Sequence, residues 1–305
     1  TMKIKIFFPF LWIILFLSSC STWGQKIPTG KIIYMPHYDG LGFIQPSGDA
    51  NEVLKIDEKL DKPVWSFNGK SILGLTGAPG AFLGYPAVWD IENGKYKVCG
   101  KNRVQFGQIQ DASDPENPHA VVILGIWDIF LLDMSSCKQL KIFVDYSKFP
   151  GKYALAGFSY FHATSSLVYG LVVNPDEVNR EYQLNQLNIK TGNEVTLAEG
   201  INPAWSHDGK QIAYLGLDGL HVMNLDITED KLILEQSFFK PYAAGSQWWD
   251  APQPQWSPND EWLIYHRCPV SSCRANNENT IYKLNLSSGN EELIIAGGEY
   301  PDWGQ

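Results

Sequence analysis

The sequence predicts an all-β fold: a six-bladed β-propeller of four-stranded antiparallel blades, closed by a C-terminal strand that joins three N-terminal strands. Three observations lead there. An aromatic-Ser motif returns about every 47 residues, strand-like segments fill each interval, and the tail of the chain supplies the one strand its beginning lacks.

The motif reads PVWSFNGK at 63–70, PAWSHDGK at 203–210, PQWSPNDE at 254–261 and PDWG at 301–304, anchored on Trp65, Trp205, Trp256 and Trp303. The gap from 65 to 205 holds three periods, and Ala112-Ser113 and Phe158-Ser159 stand where two degenerate copies are required. The intervals then run 47, 46, 47, 51 and 47. A fixed period of this size marks blades or solenoid units. Each unit reads as four short strands, exemplified by QIAYLG (211–216) and GLHVMNLD (219–226), and the eleven tryptophans suit strands. Asn68-Gly69 and Asp208-Gly209 suit tight hairpins because both residue types tolerate positive φ. Pro63, Pro203, Pro254 and Pro301 precede the aromatic by two residues, at the expected start of a strand, where a missing N–H is tolerated.

The ends predict closure. One period before Trp65 falls at residue 18, within an apolar leader, so KIIYMPH (31–37), GLGFIQP (40–46) and NEVLKID (51–57) supply only the second to fourth strands of a blade. Residues 299–305 supply its innermost strand. Closing the ring protects edges that an open array would leave unpaired.

The anchors resemble the propeller repeat of the TolB family, whose consensus is close to Pro-x-Trp-Ser-Pro-Asp-Gly-Lys. The match is sharp at 203–210, good at 63–70 and 254–261, partial at 301–304, and weak near 112 and 158. The resemblance implies a TolB-like, WD40-like propeller in an extracytoplasmic setting. The chain has no room for the α/β domain that precedes the propeller in TolB, so Pal binding does not transfer.

The N-terminus sets the expected location. Lys3 and Lys5 precede FFPFLWIILFL, followed by Leu17-Ser18-Ser19-Cys20. This resembles a bacterial lipoprotein signal with its lipobox, and the apolar run is too short for a spanning helix. Residues 1–19 are therefore expected to be a signal peptide, 20–29 a lipidated tether beginning at acylated Cys20, and 30–305 the propeller. The anchor must consist of several acyl chains, since one holds a protein only marginally. The competing reading is an ordinary signal peptide with a chance cysteine. Either way the setting is extracytoplasmic, on the periplasmic side or the cell surface; Ser21 in place of aspartate points to outer-membrane delivery where such a membrane exists.

Loss of Lys3 and Lys5 takes the net charge from −9 to −11. No basic run offers a footprint for nucleic acid or attraction to anionic lipid, leaving anchoring to the acyl chains. Outside the cytoplasm, Cys268 and Cys273, separated by PVSS, are expected to form a disulfide. Cys99 is placed near the loop-rich end of an outer strand and Cys137 in a turn on the opposite face one blade along, so they are expected to remain apart.

In such blades the first-to-second and third-to-fourth turns share one rim. They are short here: FNGK, HDGK, ENGK, KTGN and SSGN. The other rim receives TGAPGAFLGY (76–85), NPDEVNRE (174–181), KPYAAGSQWWDAPQ (240–253) and HRCPVSSCRANNEN (266–279). Added function usually sits on loops, so the loop-rich rim is the expected working surface. Trp248, Trp249 and Asp250, with Tyr242 and Gln247, are its candidate ligand contacts, suited to stacking on sugars or anchoring a protein or peptide; packing of the tryptophans between blades is the alternative. His37-Tyr38-Asp39 on the same rim reads as a polar turn.

No Gly-x-Ser-x-Gly elbow, His-Glu-x-x-His or phosphate loop is present, and the six histidines lack metal-ligand pairing. His207-Asp208 occupies a hairpin turn and reads as solvated. No catalytic residue or resident metal is assigned. The favoured function is a membrane-anchored binding module for a protein, peptide or glycan. The alternatives are a metal-assisted hydrolase, with calcium held at the channel mouth by residues such as Asp250, Asp302 and Asn202, and a structural envelope component.

Overall fold

The computed structural model describes residues 30–36, 40–54, 60–77, 83–102, 104–105, 107–149, 151–177, 180–235, 253–267 and 279–304. The signal peptide, Cys20, the tether, His37-Tyr38-Asp39, Tyr242, Gln247, Trp248, Trp249, Asp250, Cys268 and Cys273 lie outside the described residues.

The described chain forms six four-stranded antiparallel blades. Strands β1 (Ile32–Pro36), β2 (Leu41–Ile44) and β3 (Glu52–Leu54) come first. Blade 1 holds β4 (Leu60–Trp65), β5 (Ser71–Thr76), β6 (Leu83–Asp90) and β7 (Tyr96–Val98), with β8 (Val104–Gln105) added beside β6. Blade 2 holds β9 (Gln108–Asp111), β10 (Ala120–Leu124), β11 (Asp128–Asp133) and β12 (Lys138–Asp145). In blade 3 they are β13 (Tyr153–Phe161), β14 (Ser166–Val173), β15 (Glu181–Asn188) and β16 (Glu194–Ala198). Blade 4 comprises β17 (Ile201–Trp205), β18 (Gln211–Leu215), β19 (Gly219–Asn224) and β20 (Asp230–Glu235). Blade 5 comprises β21 (Gln255–Trp256), β22 (Trp262–Arg267), β23 (Thr280–Asn285) and β24 (Glu291–Ala296). The last strand, β25 (Gly298–Trp303), pairs with β1 through Ile32 opposite Trp303 and Ile33 opposite Asp302. Tail and head thus share blade 6.

Burial lies between blades as well as within them. One cluster joins Val168 and Leu184 of blade 3 to Trp205, Ile212 and Met223 of blade 4; another joins Ile33 and Phe43 of blade 6 to Ile72 of blade 1. Outer strands are far more exposed, as the Glu-Val-Thr run of β16 shows. The predicted hairpins form, with Gly69 at φ +65° and Gly209 at φ +69°.

Two expectations are corrected. Pro254 stands directly before β21 as expected, but the other three repeat prolines do not start strands: Pro63, Pro203 and Pro301 sit inside β4, β17 and β25, and each follows a residue at positive φ, Lys62, Asn202 and Tyr300. The register slips there, between Asp61 and Val64 and between Ile201 and Ala204. A bulge leaves the imino nitrogen opposite no ladder acceptor, and the innermost strand has no second neighbour to serve.

Cys99 and Cys137 are joined, with Cα atoms 5.2 Å apart. The short outer strand β7 explains the difference. Cys99 lies four residues beyond Lys95 in the turn, on the order of 13 Å of extended chain, so it never reaches the far rim. The blade 2 turn holding Cys137 comes up against it, and Lys97 Nζ donates to the Ser135 carbonyl at the same junction. The disulfide staples blade 1 to blade 2.

Candidate functional site

The innermost strands pair on one side only, and their other side faces the axis. Together they enclose a cavity of about 490 Å³, whose lining residues include Trp65, Phe158, Tyr160, Trp205, Trp256 and Trp303, most of whose rings are buried in the clusters between blades. Gln108, Gln253, Gln255, Asp111 and Asp302 add polar groups, and Phe67, His162 and His207 carry the lining into the first hairpin turns. The cavity therefore runs along the axis to the short-turn rim, opposite the rim the sequence favours. Most of the long insertions of the loop-rich rim lie outside the described residues, so they are not brought into relation with the channel.

Polar side chains of the inner strands hold the ring together. Phe67 N–H donates to Asp111 Oδ2 (2.8 Å) across the junction of blades 1 and 2, and Tyr160 N–H to Gln110 Oε1 (2.8 Å) across blades 2 and 3. Trp205 N–H donates to Ser159 Oγ (3.0 Å) across blades 3 and 4, and His207 N–H to Asp260 Oδ1 (2.8 Å) across blades 4 and 5. Tyr300 N–H donates to His266 Nδ1 (3.2 Å) between blades 5 and 6; Trp65 N–H donates to Asp302 Oδ2 (2.6 Å) at the closing junction. Every junction is therefore bridged by a side chain accepting from backbone, an arrangement that satisfies donors the bulged inner strands leave over.

Asp302 is the most perturbed of these groups. Burial pushes its carboxyl up to about 6, against the opposing pull of the Trp65 amide and of His207. Desolvation outweighs a 2.6 Å hydrogen bond because no Lys or Arg pairs with the carboxylate among the described residues. Asp111 spends both oxygens on backbone, the second on Ser113 N–H (2.8 Å). Two buried polar atoms of lining residues have no partner among the described residues: Gln108 Oε1, an acceptor, and the Trp205 indole N–H, a donor. The corresponding indoles of Trp65 and Trp256 donate to the carbonyls of Lys31 (3.2 Å) and Ala204 (2.9 Å).

His207 is exposed in its hairpin turn, as expected, and its ring also pairs with Asp260 of blade 5 (Nδ1 to Oδ1, 3.1 Å), adding a contact between blades. Asp208 caps its own hairpin through Lys210 N–H (2.9 Å). Asn202 is buried at the bulge, where its side chain packs against Gly157, a position at φ +73° with no room for a Cβ. Among the described residues no group of three or more His, Cys, Asp or Glu is placed to hold a metal ion, and no helix is long and apolar enough to cross a membrane.

One recurrent contact escaped the sequence reading. A buried tyrosine in the second strand reaches a polar group at or just before the fourth strand of the same blade. Tyr34 donates to Asn51 (2.7 Å), Tyr169 to Glu194 (2.5 Å), Tyr214 to Asp230 (2.6 Å) and Tyr265 to Glu291. Burial raises all four phenols well above their ordinary value, so they act as permanent donors. The signal was present: Tyr214 and Tyr265 each follow their anchor tryptophan by nine residues.

No family model and no curated protein matches this chain. Its fold is shared with solved structures of low identity. TolB from Acinetobacter baumannii superposes with a TM-score of 0.64 at 13% identity, covering 91% of this chain and 67% of that one. A structure titled as a nidogen/laminin complex gives 0.64 at 8% identity, covering 91% and 99%. Oligogalacturonate lyase in complex with manganese gives 0.51 at 13% identity, covering 88% and 74%. These likenesses establish a TolB-like six-bladed propeller.

Proposed function

We propose that this chain is an extracytoplasmic binding module that holds a protein or peptide segment in its central channel. The observation that carries the reading is the channel itself: a cavity of about 490 Å³ that mixes aromatic residues with glutamine, aspartate and histidine side chains and reaches the short-turn rim. Concave cavities that combine apolar surface with placed polar groups are the usual form of a ligand site. Half-exposed Phe67 at the mouth offers a first contact for an incoming chain. A propeller of this shape in a complex of nidogen with laminin supports a protein partner. The lipid anchor belongs to the same proposal: acylated Cys20 would hold the propeller at a membrane surface, with Trp248, Trp249 and Asp250 extending the binding surface on the other rim.

A photo-crosslinking amino acid at Phe67, whose side chain is exposed while its backbone does the structural work, tests the channel in intact cells. It should trap a discrete protein adduct that the same probe at Val195 on an outer strand does not. Adducts formed only from position 248 would move the site to the loop-rich rim. Metabolic labelling with palmitate, lost in Cys20→Ala, tests the anchor.

The lyase in complex with manganese motivates a second reading, catalysis in the channel. Enzyme-like turnover that a chelator abolishes would favour it over binding alone.

A further inference from the structure

We propose that the channel recognises a guanidinium group, an arginine side chain presented by the bound segment, with Asp302 as its counter-ion. This rests on the binding reading above and specifies its ligand chemistry.

The channel's charge arrangement is incomplete. Asp111 and Asp302 stand in one cavity, and neither forms an ion pair among the described residues. Asp111 is saturated by two backbone amides. Asp302 is enclosed by protein yet keeps partial solvent exposure through the lumen. A buried carboxylate without a cation is costly, and a ligand that supplies the cation recovers that cost on binding.

The surroundings select the shape of the cation. Half-buried Trp65, Phe161 and Tyr300 and half-exposed Phe67 bring aromatic rings to the lining, and a planar guanidinium stacks on ring faces while directing its N–H groups outward in the plane. The protein already uses this geometry in blade 5, where Arg267 lies 4.2 Å over the Tyr282 ring while Nη2 donates to Glu291 (2.6 Å). Lys62, the one lysine of the lining, has its ammonium 5.2 Å over the Tyr300 ring. His162 and His207 lie at the hairpin end, His207 held by Asp260.

Trp65, Trp205, Trp256 and Trp303 all line the cavity, so intrinsic fluorescence reports occupancy directly. The probes are acetyl-Gly-Arg-Gly-amide and its citrulline counterpart, which keeps the shape and loses the charge. The arginine peptide should give a saturable change at pH 7.5 and bind about tenfold tighter than the citrulline peptide, as expected for a charge-assisted hydrogen bond. Asp302→Asn, checked for native near-ultraviolet dichroism, should remove that preference. In the wild type the preference should also shrink as pH falls through about 6, where Asp302 takes up its proton; Lys62, Asp111, Tyr160, His162, His207 and Tyr300 are the other charged or titratable groups of the cavity. Equal affinity for the two peptides, or a preference that survives in Asp302→Asn, overturns the proposal. So does an unchanged emission with both peptides at millimolar concentration. In each case the crosslink from Phe67 separately decides whether the channel binds a partner at all.

Discussion

Asp302→Asn should stabilise the propeller at neutral pH and lose that advantage in acid. The carboxyl is raised from 3.8 to about 6, chiefly by burial. A raised value means that the folded state holds the proton more tightly than the unfolded chain does. The stability this contributes is complete below about 4 and is lost as pH rises through about 6. The gap corresponds to roughly 3 kcal/mol at 1.36 kcal/mol per pKa unit, reduced to about 2 kcal/mol by water reaching the carboxylate through the lumen. Asparagine keeps an acceptor for Trp65 N–H and never ionises, so its stability lacks this dependence. Urea unfolding of both proteins at intervals from about pH 4 to about pH 8 gives the difference curve directly. It should rise in favour of the variant across that range and flatten above about 7. A difference independent of pH, or one sloping the other way, would refute the assignment of Asp302 as an uncompensated buried carboxylate.

Truncation before Glu299 removes most of β25, buried Trp303 and the Asp302 clasp together. The loss is comparable with the whole stability of an ordinary domain, about 5–15 kcal/mol, so limited proteolysis should find the truncated chain largely digested; equal resistance would deny the ring closure. Cys99→Ser should lower stability by roughly 3–4 kcal/mol, the chain-entropy value for the 38-residue separation, and the loss on adding reductant should be larger in the wild type than in the variant by the same amount. Tyr169→Phe leaves exposed Glu194 to water and Tyr265→Phe leaves Glu291 to Arg267 (2.6 Å), so each should cost only about 0.5–1.5 kcal/mol in urea unfolding.

Much of the fold was legible because a propeller is built from one repeated solution. The Trp-Ser-x-Asn/Asp-Gly turn is local chemistry: Ser66 and Ser206 accept from the N–H groups of Ser71 and Gln211 (3.0 and 2.9 Å) and donate to Asn68 and Asp208 (2.9 and 2.8 Å). The candidate site was less legible. The channel is lined at the middle residue of Pro-x-Trp, where Val64, Gln255 and Asp302 stand in successive copies. That periodicity marks Asp302 as a charge on the axis, a reading distinct from its expected place among calcium ligands. The candidates on the long loops were chosen for exposed aromatic chemistry, and they lie outside the described residues.

The blade count, the turns and the pairing of tail with head are written along the chain, because period, turn residues and strand alternation are properties of neighbouring residues. Which groups meet across blades is settled by the assembled fold. Cys99 reaches Cys137, His207 reaches Asp260 in preference to the adjacent Asp208, and Asp302 is left in the channel without a cation. Those meetings depend on strand length, blade twist and bulges summed over tens of residues. A change of one residue in an outer strand or bulge redirects a side chain, so spacing along the chain could not fix them.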